Sequence, residues 1–273
     1  MKNTSILLSK DEFNKNLEIS IKHTVLEETY RMHCHDFYEI EIITEGDGIQ
    51  LLNGNTYFLK KGDAYIIKPT DFHSISAHHP LKLYNIKFDE ILLSDTVFIK
   101  NIDFTNDYFA HLDDEHFNMI LSTIKSLEYE IGHKQEYSTA MKHNLLEYLV
   151  ISIMRSCKKE GTVLQDTQLK NLLDYINQNY KKHLQLKDVA GTVGYTPSYF
   201  SHWFHKTIGK TYVEYINNLR LAEAKRLLLS TSNSATEIGF AVGFTSFSGF
   251  LKEFKKKYGI TPSTMRKELV RKS

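Results

Sequence analysis

Two similar stretches determine the fold of the C-terminal part: DVAGTVGYTPSYFSHWFHKTIGKT (188–211) and EIGFAVGFTSFSGFLKEFKKKYGIT (237–261). Gly194 matches Gly243 at an offset of 49, and Phe204 matches Phe254 at an offset of 50, so the second copy carries one extra residue. Self-similarity of this kind indicates a duplicated supersecondary unit.

Each copy predicts a short helix, a glycine turn and a longer helix. Gly194 and Gly243 stand where a helix ends in the left-handed conformation, which glycine adopts without strain. Thr196 and Thr245 follow as caps for the next helix. The second helix of each copy has phenylalanines on one side and polar residues on the other, which predicts a helix-turn-helix unit.

A single long helix is predicted between the copies, from Thr211 to Leu229. A stiff connector would hold the two units at a fixed separation, so that their second helices reach successive major grooves about 34 Å apart. Residues 166–273 contain 17 Lys and Arg but 8 Asp and Glu, whereas the whole chain has a net charge of +1. This asymmetry favours a polyanionic partner for the C-terminal part alone. A helical repeat that binds protein is the alternative.

The C-terminal part, over about residues 166–268, resembles the DNA-binding domain of AraC/XylS-type bacterial regulators. The resemblance rests on the Gly-Phe turn at Phe240–Phe244, the Phe-x-x-x-Phe-Lys-Lys helix at Phe250–Lys256, and the close at Gly259–Arg266. Phe240 departs from the pattern, which often has alanine there. The resemblance implies double-stranded DNA as a partner, a homodimer, and RNA polymerase as a candidate partner.

The same resemblance implies which residues contact DNA. Base contacts would come from the first half of each second helix, and phosphate contacts from hydroxyls and basic side chains around it. The expected base-reading residues are Ser198, Ser201, His202, Ser248 and Lys252. The expected phosphate contacts are Thr196, Lys206, Lys210, Arg220, Thr245, Lys255 and Lys256.

The N-terminal part reads as a small β-structure. Short apolar or alternating runs such as EIEIITEG, TYFLKKGD and LKLYNIKFD lie between residues 17 and 110 and end at glycine, proline or aspartate. Such spacing predicts a β-sandwich or small barrel. Asn53-Gly54 predicts a tight hairpin turn, because both residues tolerate positive φ.

Histidines in this part follow a known spacing. His33, His35, Glu39 and Gly46, with Gly62, Pro69 and His73 downstream, resemble the two sequence segments of cupins, small barrels with an internal pocket. In metal-binding cupins the positions of His33, His35, Glu39 and His73 ligate a divalent metal, and imidazole and carboxylate suit such an ion. The alternative is a polar pocket that holds a small effector, such as a sugar, without metal. The expected effector-pocket residues are Arg31, His33, His35, Glu39, Glu41, His73, Tyr84 and Asn85.

Residues 112–157 change to helical spacing, with apolar side chains every three or four residues and a break at Gly132. This predicts a helical hairpin that packs on the β-structure and contributes to a dimer interface. The predicted domains are a barrel (1–110), the hairpin (111–157), a linker (158–167) and the double helix-turn-helix domain (168–273). The fold class is therefore a two-domain α+β protein with a cupin-like barrel and an all-α C-terminal domain.

The main functional hypothesis is a transcription regulator controlled by a small effector, with no catalytic residue and no cofactor. The alternative is a metal-dependent cupin enzyme with an accessory helical domain. Cys34 and Cys157 suit reduced thiols in the cytoplasm. No run approaches the roughly 20 apolar residues of a membrane span, and the N-terminus shows no signal-peptide core.

Overall fold

The computed structural model describes residues 5–7, 19–69, 71–93, 107–133, 135–157, 164–165, 167–208 and 210–270. The chain forms two compact units. One contains Ser5–Leu93 and Asn106–Thr167, and the other contains Gln168–Ser273. Most of the predicted linker, residues 158–163 and 166, lies outside the described residues.

The N-terminal unit is a β-structure of two sheets. Its strands are β1 (Ser5–Leu7), β2 (Ile19–Leu26), β3 (Thr29–His35), β4 (Tyr38–Glu45), β5 (Asp47–Leu52), β6 (Asn55–Lys60), β7 (Asp63–Ile67), β8 (Phe72–Ala77), β9 (Leu81–Phe88), β10 (Tyr108–His111) and β11 (Leu164–Gln165). One sheet has the order β1-β3-β8-β5-β6-β11, and the other has the order β10-β7-β4-β9-β2. Between the described strands, all pairings are antiparallel except that of β1 with β3. The predicted N-terminal β-fold is confirmed.

Local signals place the strands. Asn53 and Gly54 adopt φ of 50° and 84°, and β5 pairs with β6 from Leu52↔Asn55 outward, which confirms the predicted hairpin. β4 lies in the middle of its sheet and is buried along most of its length. Ile43, Tyr65 and Leu83 belong to the apolar core beside the inner face of this sheet.

A short 3-10 helix (Glu90–Leu93) follows β9, and two helices form the predicted hairpin, α1 (Asp114–Gly132) and α2 (Ser138–Ser156). Asp113 caps α1 by accepting from the His116 amide. The hairpin core contains Phe117 and Ile124 of α1 with Leu149 and Ile153 of α2, all buried. Among the described helices, none is long and apolar enough to cross a bilayer.

The C-terminal unit is helical throughout its described residues. It contains α3 (Thr167–Asn179), α4 (Leu186–Thr192), α5 (Pro197–Ile208), α6 (Tyr212–Ser230), α7 (Ala235–Ala241), α8 (Phe247–Tyr258) and α9 (Pro262–Val270). The pairs α4–α5 and α7–α8 are the two predicted helix-turn-helix units. The predicted connector is confirmed as α6, which is about 28 Å long at 1.5 Å per residue.

Each helix-turn-helix unit is built as its sequence predicts, with one difference. Gly194 and Gly243 have φ of 72° and 102° in the turns. In the second unit Ser246, not Thr245, caps α8 by accepting from the Gly249 amide. Ser246 lies 50 residues after Thr196, the same offset that relates Phe204 to Phe254, so the extra residue of the second copy lies in the turn, where Thr245 stays.

Polar contacts tie α6 to its neighbours. Arg266 is the last residue of the Gly259–Arg266 segment. It donates to the carbonyls of Leu228, Thr231 and Asn233. These carbonyls include groups at the end of α6, where the backbone lacks helical partners. Arg266 thus joins α9 to the C-terminal end of the connector.

Candidate functional sites

The first candidate site is a cleft between the two sheets of the β-structure, with a volume of about 130 Å³. Five strands contribute to it, each through side chains that alternate toward the inside. Its lining consists of Lys22, Thr24, Leu26, Tyr30, His33, Glu39, Glu41, His73, Ile75, Leu83, Asn85 and Lys87.

Five predicted pocket residues line this cleft: His33, Glu39, Glu41, His73 and Asn85. Arg31 and Tyr84, two further predicted pocket residues, are not among the residues that line this cleft. Arg31 is exposed, and Tyr84 stacks on His23 with ring centroids 4.7 Å apart.

His35 lies behind the cleft and holds Glu39 in place. Its Nδ1 is 2.8 Å from the Phe37 carbonyl oxygen, and its Nε2 is 2.8 Å from Glu39 Oε2. Asn85 donates to the other oxygen, Glu39 Oε1. Burial alone would raise the pKa of Glu39, but the hydrogen bond and charge of His35, with His73 and Lys87, lower it below its usual range. Glu39 is therefore a carboxylate at neutral pH.

Glu41 lies beside this carboxylate, and its pKa shifts in the opposite direction. Burial, with the negative charge of Glu39, raises the pKa of Glu41 well above its usual range. The Gln50 side-chain nitrogen lies 3.4 Å from Glu41 Oε2 and 3.3 Å from His73 Nδ1. Burial also lowers the pKa of His73 well below its usual range, so that its ring is neutral.

A divalent metal would need donor atoms that converge. Atoms of His33, Glu39 and His73 lie within 4.8 Å of one another, and all three residues are buried. His33 Nδ1 contacts the Arg31 carbonyl at 2.9 Å, which leaves Nε2 as a ligand atom. Gln50 Nε2 lies 3.3 Å from His73 Nδ1, and His73 Nε2 lies 3.6 Å from Glu39 Oε2. The trio thus offers one ligand atom from each residue, which equals the three protein ligands of ordinary catalytic metal sites.

The second candidate site is the pair of outer faces on α5 and α8. Phe200, Phe204, Phe250 and Phe254 are fully buried, and each helix turns its opposite side to solvent. The five predicted base-reading residues are all exposed: Ser198, Ser201, His202, Ser248 and Lys252. Thr196, Thr245, Lys206, Lys255 and Lys256 are exposed as well.

Two predicted phosphate contacts, Lys210 and Arg220, differ from the others in their surroundings. Lys210 is 5% exposed, so its side chain is enclosed by the fold. Arg220 donates to the carbonyls of Tyr180 and Lys182, and burial lowers its pKa. Arg220 therefore serves the packing of α6 against the end of α3.

Comparisons with known proteins agree with this architecture. A family model described as an AraC-like ligand binding domain matches residues 22–150, and one described as a helix-turn-helix domain matches residues 189–268. The HTH-type transcriptional activator RhaS of Yersinia pestis (strain Pestoides F) is 25% identical over 272 residues, covering 97% of this chain and 100% of that protein.

Solved structures are similar as well. Apo ToxT from Vibrio cholerae strain SCE256 aligns over 93% of this chain and 98% of its own, at 13% identity and a TM-score of 0.41. The C-terminal domain of the response regulator yesN from Fusobacterium nucleatum aligns over 36% of this chain and 95% of its own, at 31% identity and a TM-score of 0.35.

The cleft-bearing β-unit and the double helix-turn-helix unit together define a transcription regulator with a ligand-binding domain and a DNA-binding domain. The chain belongs to the AraC-type regulators.

Proposed function

We propose that this regulator reads a specific operator through α5 and α8 and that a small hydroxylated effector, such as a sugar, bound in the cleft controls this contact. The main support for this proposal is that α5 and α8 each have one buried side and one exposed side. Their phenylalanines are fully buried, while Ser198, His202 and Lys252 are exposed on the other side. Side chains in this position can reach base edges in the major groove.

A gel-shift assay on the protein's own upstream region tests this proposal. His202→Ala and Lys252→Ala should reduce the discrimination between operator and unrelated DNA, by about 1–3 kcal/mol each if they contact bases in bidentate fashion. Lys206→Ala should weaken binding to all sequences alike. Lys125→Ala, an exposed lysine of α1, is the matched control for loss of one charge. Equal losses on every fragment for all three helix variants would contradict the assignment.

Buried polar atoms in the cleft support a hydroxylated effector. Within the part of the chain that the structure describes, His73 Nε2 and Asn85 Oδ1 have no hydrogen-bond partner in good geometry. Such atoms cost free energy unless a ligand or water satisfies them. Hydroxyl groups both donate and accept, so one polyol can satisfy the amide oxygen and the ring nitrogen together.

A homodimer is supported by an exposed apolar face of α2. Met141, Tyr148 and Ile151 lie 43%, 40% and 42% exposed, at spacings of three and seven residues along one side of the helix. Leu149 and Ile153 of the same helix are fully buried in the hairpin. The exposed face is thus a second, outward stripe that a partner copy would cover.

DNA binding also bears on the partner, the location and the chemistry of the proposed regulator. A regulator that activates transcription would contact RNA polymerase, and it would act in the cytoplasm, where the bacterial chromosome lies. It needs no catalytic residue, because effector binding supplies the free energy that shifts the balance between two states.

One observation favours the alternative, a metal-dependent enzyme, namely the convergence of His33, Glu39 and His73. A metal held by these three residues could activate water or dioxygen. Elemental analysis of the purified protein decides between the two. Stoichiometric metal that disappears in both His33→Ala and Glu39→Ala would establish the alternative.

A further inference from the structure

The second helices of the two helix-turn-helix units differ at one outward position. Tyr199 is the third residue of α5, and Gly249 is the third residue of α8. They are 50 residues apart, the same offset that relates Phe204 to Phe254, so their positions are equivalent. The Tyr199 side chain is 55% exposed. The first unit therefore presents a large aromatic ring to solvent where the second unit has no side chain.

Tyr199 lies in one row with two residues of the proposed DNA-binding face. His202 and Lys206 follow it by three and seven residues, a spacing that places all three side chains along one side of α5. All three are exposed, whereas Phe200 and Phe204 occupy the buried side. If His202 reaches base edges, Tyr199 must enter the same major groove, because it lies one turn nearer the N-terminal end of the helix.

Neighbouring aromatic rings hold the Tyr199 ring in place. It meets the Tyr195 ring edge to face with centroids 4.7 Å apart, and Tyr195 meets Trp203 in the same way at 5.3 Å. The Tyr195 hydroxyl donates to Gln168 Oε1 at 3.3 Å, and Gln168 Nε2 donates to the Val193 carbonyl at 3.1 Å. Gln168 of α3 thus ties down both the turn and the ring that supports Tyr199. A supported side chain loses less conformational entropy when it contacts DNA.

The chemistry of the ring favours one base over the others. In the major groove only thymine presents a methyl group, and apolar side chains recognise thymine through it. Against a guanine edge, the ring would remove water from the N7 and O6 acceptors without replacing it, which costs free energy. The hydroxyl of Tyr199 could instead donate to a phosphate, a contact without sequence information. A phenylalanine variant separates these two uses of the side chain.

We propose that Tyr199 is a specificity-determining residue whose ring covers the C5 methyl group of a thymine in the groove that α5 enters. Gly249 gives α8 no equivalent contact, so the dependence on this methyl group belongs to one of the two grooves only. This inference rests on the proposed function, because it adds a residue to a helix proposed there to read bases.

Replacement of single thymines by deoxyuridine in the protein's own upstream fragment tests the proposal with the full-length protein. Deoxyuridine keeps the pairing edge and lacks only the C5 methyl group. At one or two positions within one groove of the protected region, the replacement should weaken binding about fourfold, the effect of no longer burying one methyl group. Tyr199→Phe should retain this dependence. Tyr199→Ala should bind the thymine and deoxyuridine fragments equally, as expected when the contact between the two groups is lost.

Tyr129→Ala is the matched control. Tyr129 of α1 is 49% exposed and also leans on a neighbouring ring, that of His133, with centroids 4.2 Å apart. This variant should leave the thymine dependence unchanged, and thermal melting of each variant checks that it is folded.

Four results would overturn the proposal. They are the absence of any thymine dependence in the unmodified protein, its persistence in Tyr199→Ala, its loss in Tyr199→Phe, and an equal weakening of all fragments in Tyr199→Ala, which would assign the side chain to a phosphate. His202→Ala in the same titrations identifies what has failed. If His202→Ala reduces the discrimination between operator and unrelated DNA, the proposed function stands and only the role of Tyr199 is wrong. If neither variant reduces it, base reading by α5 is wrong as well.

Discussion

At the residue scale, the two turn glycines are equivalent in sequence but not in packing. A Cβ at Gly243 would lie 2.7 Å from the Lys181 carbonyl oxygen and 3.0 Å from Arg220 Nε, whereas a Cβ at Gly194 would meet nothing within 4 Å. The second turn is thus pressed against the segment that follows α3, and the first turn is open. Duplication preserved the backbone conformation while the surroundings diverged.

This difference predicts unequal mutational costs. Gly194→Ala should destabilise the protein by about 1–2 kcal/mol, the cost of a left-handed conformation for an L-residue. Gly243→Ala should add a steric clash with backbone, and we expect a total of about 3 kcal/mol or more. Urea unfolding of the two variants measures the difference. Equal losses would show that the close contact at Gly243 relaxes without cost.

A buried carboxylate on α6 gives a pH-dependent prediction. Glu223 accepts from Lys181 at 2.9 Å and from Arg226 at 2.7 Å. Burial would raise its pKa, but Arg226 and Lys181 outweigh burial and lower it from 4.5. Because the folded pKa is depressed, the stabilisation is complete above the unfolded value and is lost as pH falls through the folded value.

Glu223→Gln should therefore lower the free energy of unfolding by about 1–3 kcal/mol at pH 7. The difference in this free energy between the variant and the unmodified protein should narrow below about pH 4.5. Urea unfolding over a pH series measures it. Glu128→Gln, an exposed residue of α1, is the control and should change stability by less than about 0.5 kcal/mol. A gap that is constant from pH 7 to pH 3 would contradict the ion-pair explanation.

The residue scale also shows why two of the predicted pocket residues lie outside the cleft lining. Tyr84 and Asn85 are consecutive on β9 and so face opposite sides, which strand alternation alone could have revealed. Arg31 shares the parity of His33, yet a register shift between Tyr30 and His33 turns Tyr30 into the cleft instead. Bulges of this kind leave no clear sequence signal.

At the element scale, short-range features were predicted and long-range pairings were not. The helix-turn-helix units follow from glycine turns, caps and apolar spacing, all within about 25 residues. Lys22 and Lys87 entered no prediction, because they meet only through the pairing of β2 with β9, strands more than 50 residues apart in the chain. The side chains that line the cleft could therefore be identified only once the strand register was known.

The outward stripe on α2 gives a prediction at this scale. Tyr148→Asp places a charge in the proposed interface and should convert the dimer to monomer, because an unpaired charge is costly to bury there. Analytical ultracentrifugation of the full chain measures the oligomeric state. Lys125→Asp on α1 introduces the same side chain on an exposed surface outside the stripe and should leave the state unchanged. An unaltered dimer in Tyr148→Asp would exclude this stripe as the interface.

At the scale of the whole molecule, the net charge does not show how basic the C-terminal part is, and this excess of basic residues is what matters for DNA binding. The chain carries +1 in total, yet 17 of its 34 basic residues lie within residues 166–273, beside only 8 acidic ones. The salt dependence of DNA binding follows the number of phosphates neutralised in the contact, not the net charge of the protein. We therefore expect affinity to fall steeply with salt although the protein is nearly neutral.

The lysines at the end of α8 make this expectation quantitative. Lys255 and Lys256 are exposed, and if each contacts one phosphate, the double variant Lys255→Gln/Lys256→Gln should lower the slope of log K against log salt by about 2. It should weaken operator and unrelated DNA alike, so the ratio between them should be preserved. Titrations at four or more salt concentrations give the slope, and Lys125→Gln controls for charge lost outside the DNA-binding unit. An unchanged slope would place these lysines away from the DNA, and α8 would then have to enter the groove in a different orientation from α5.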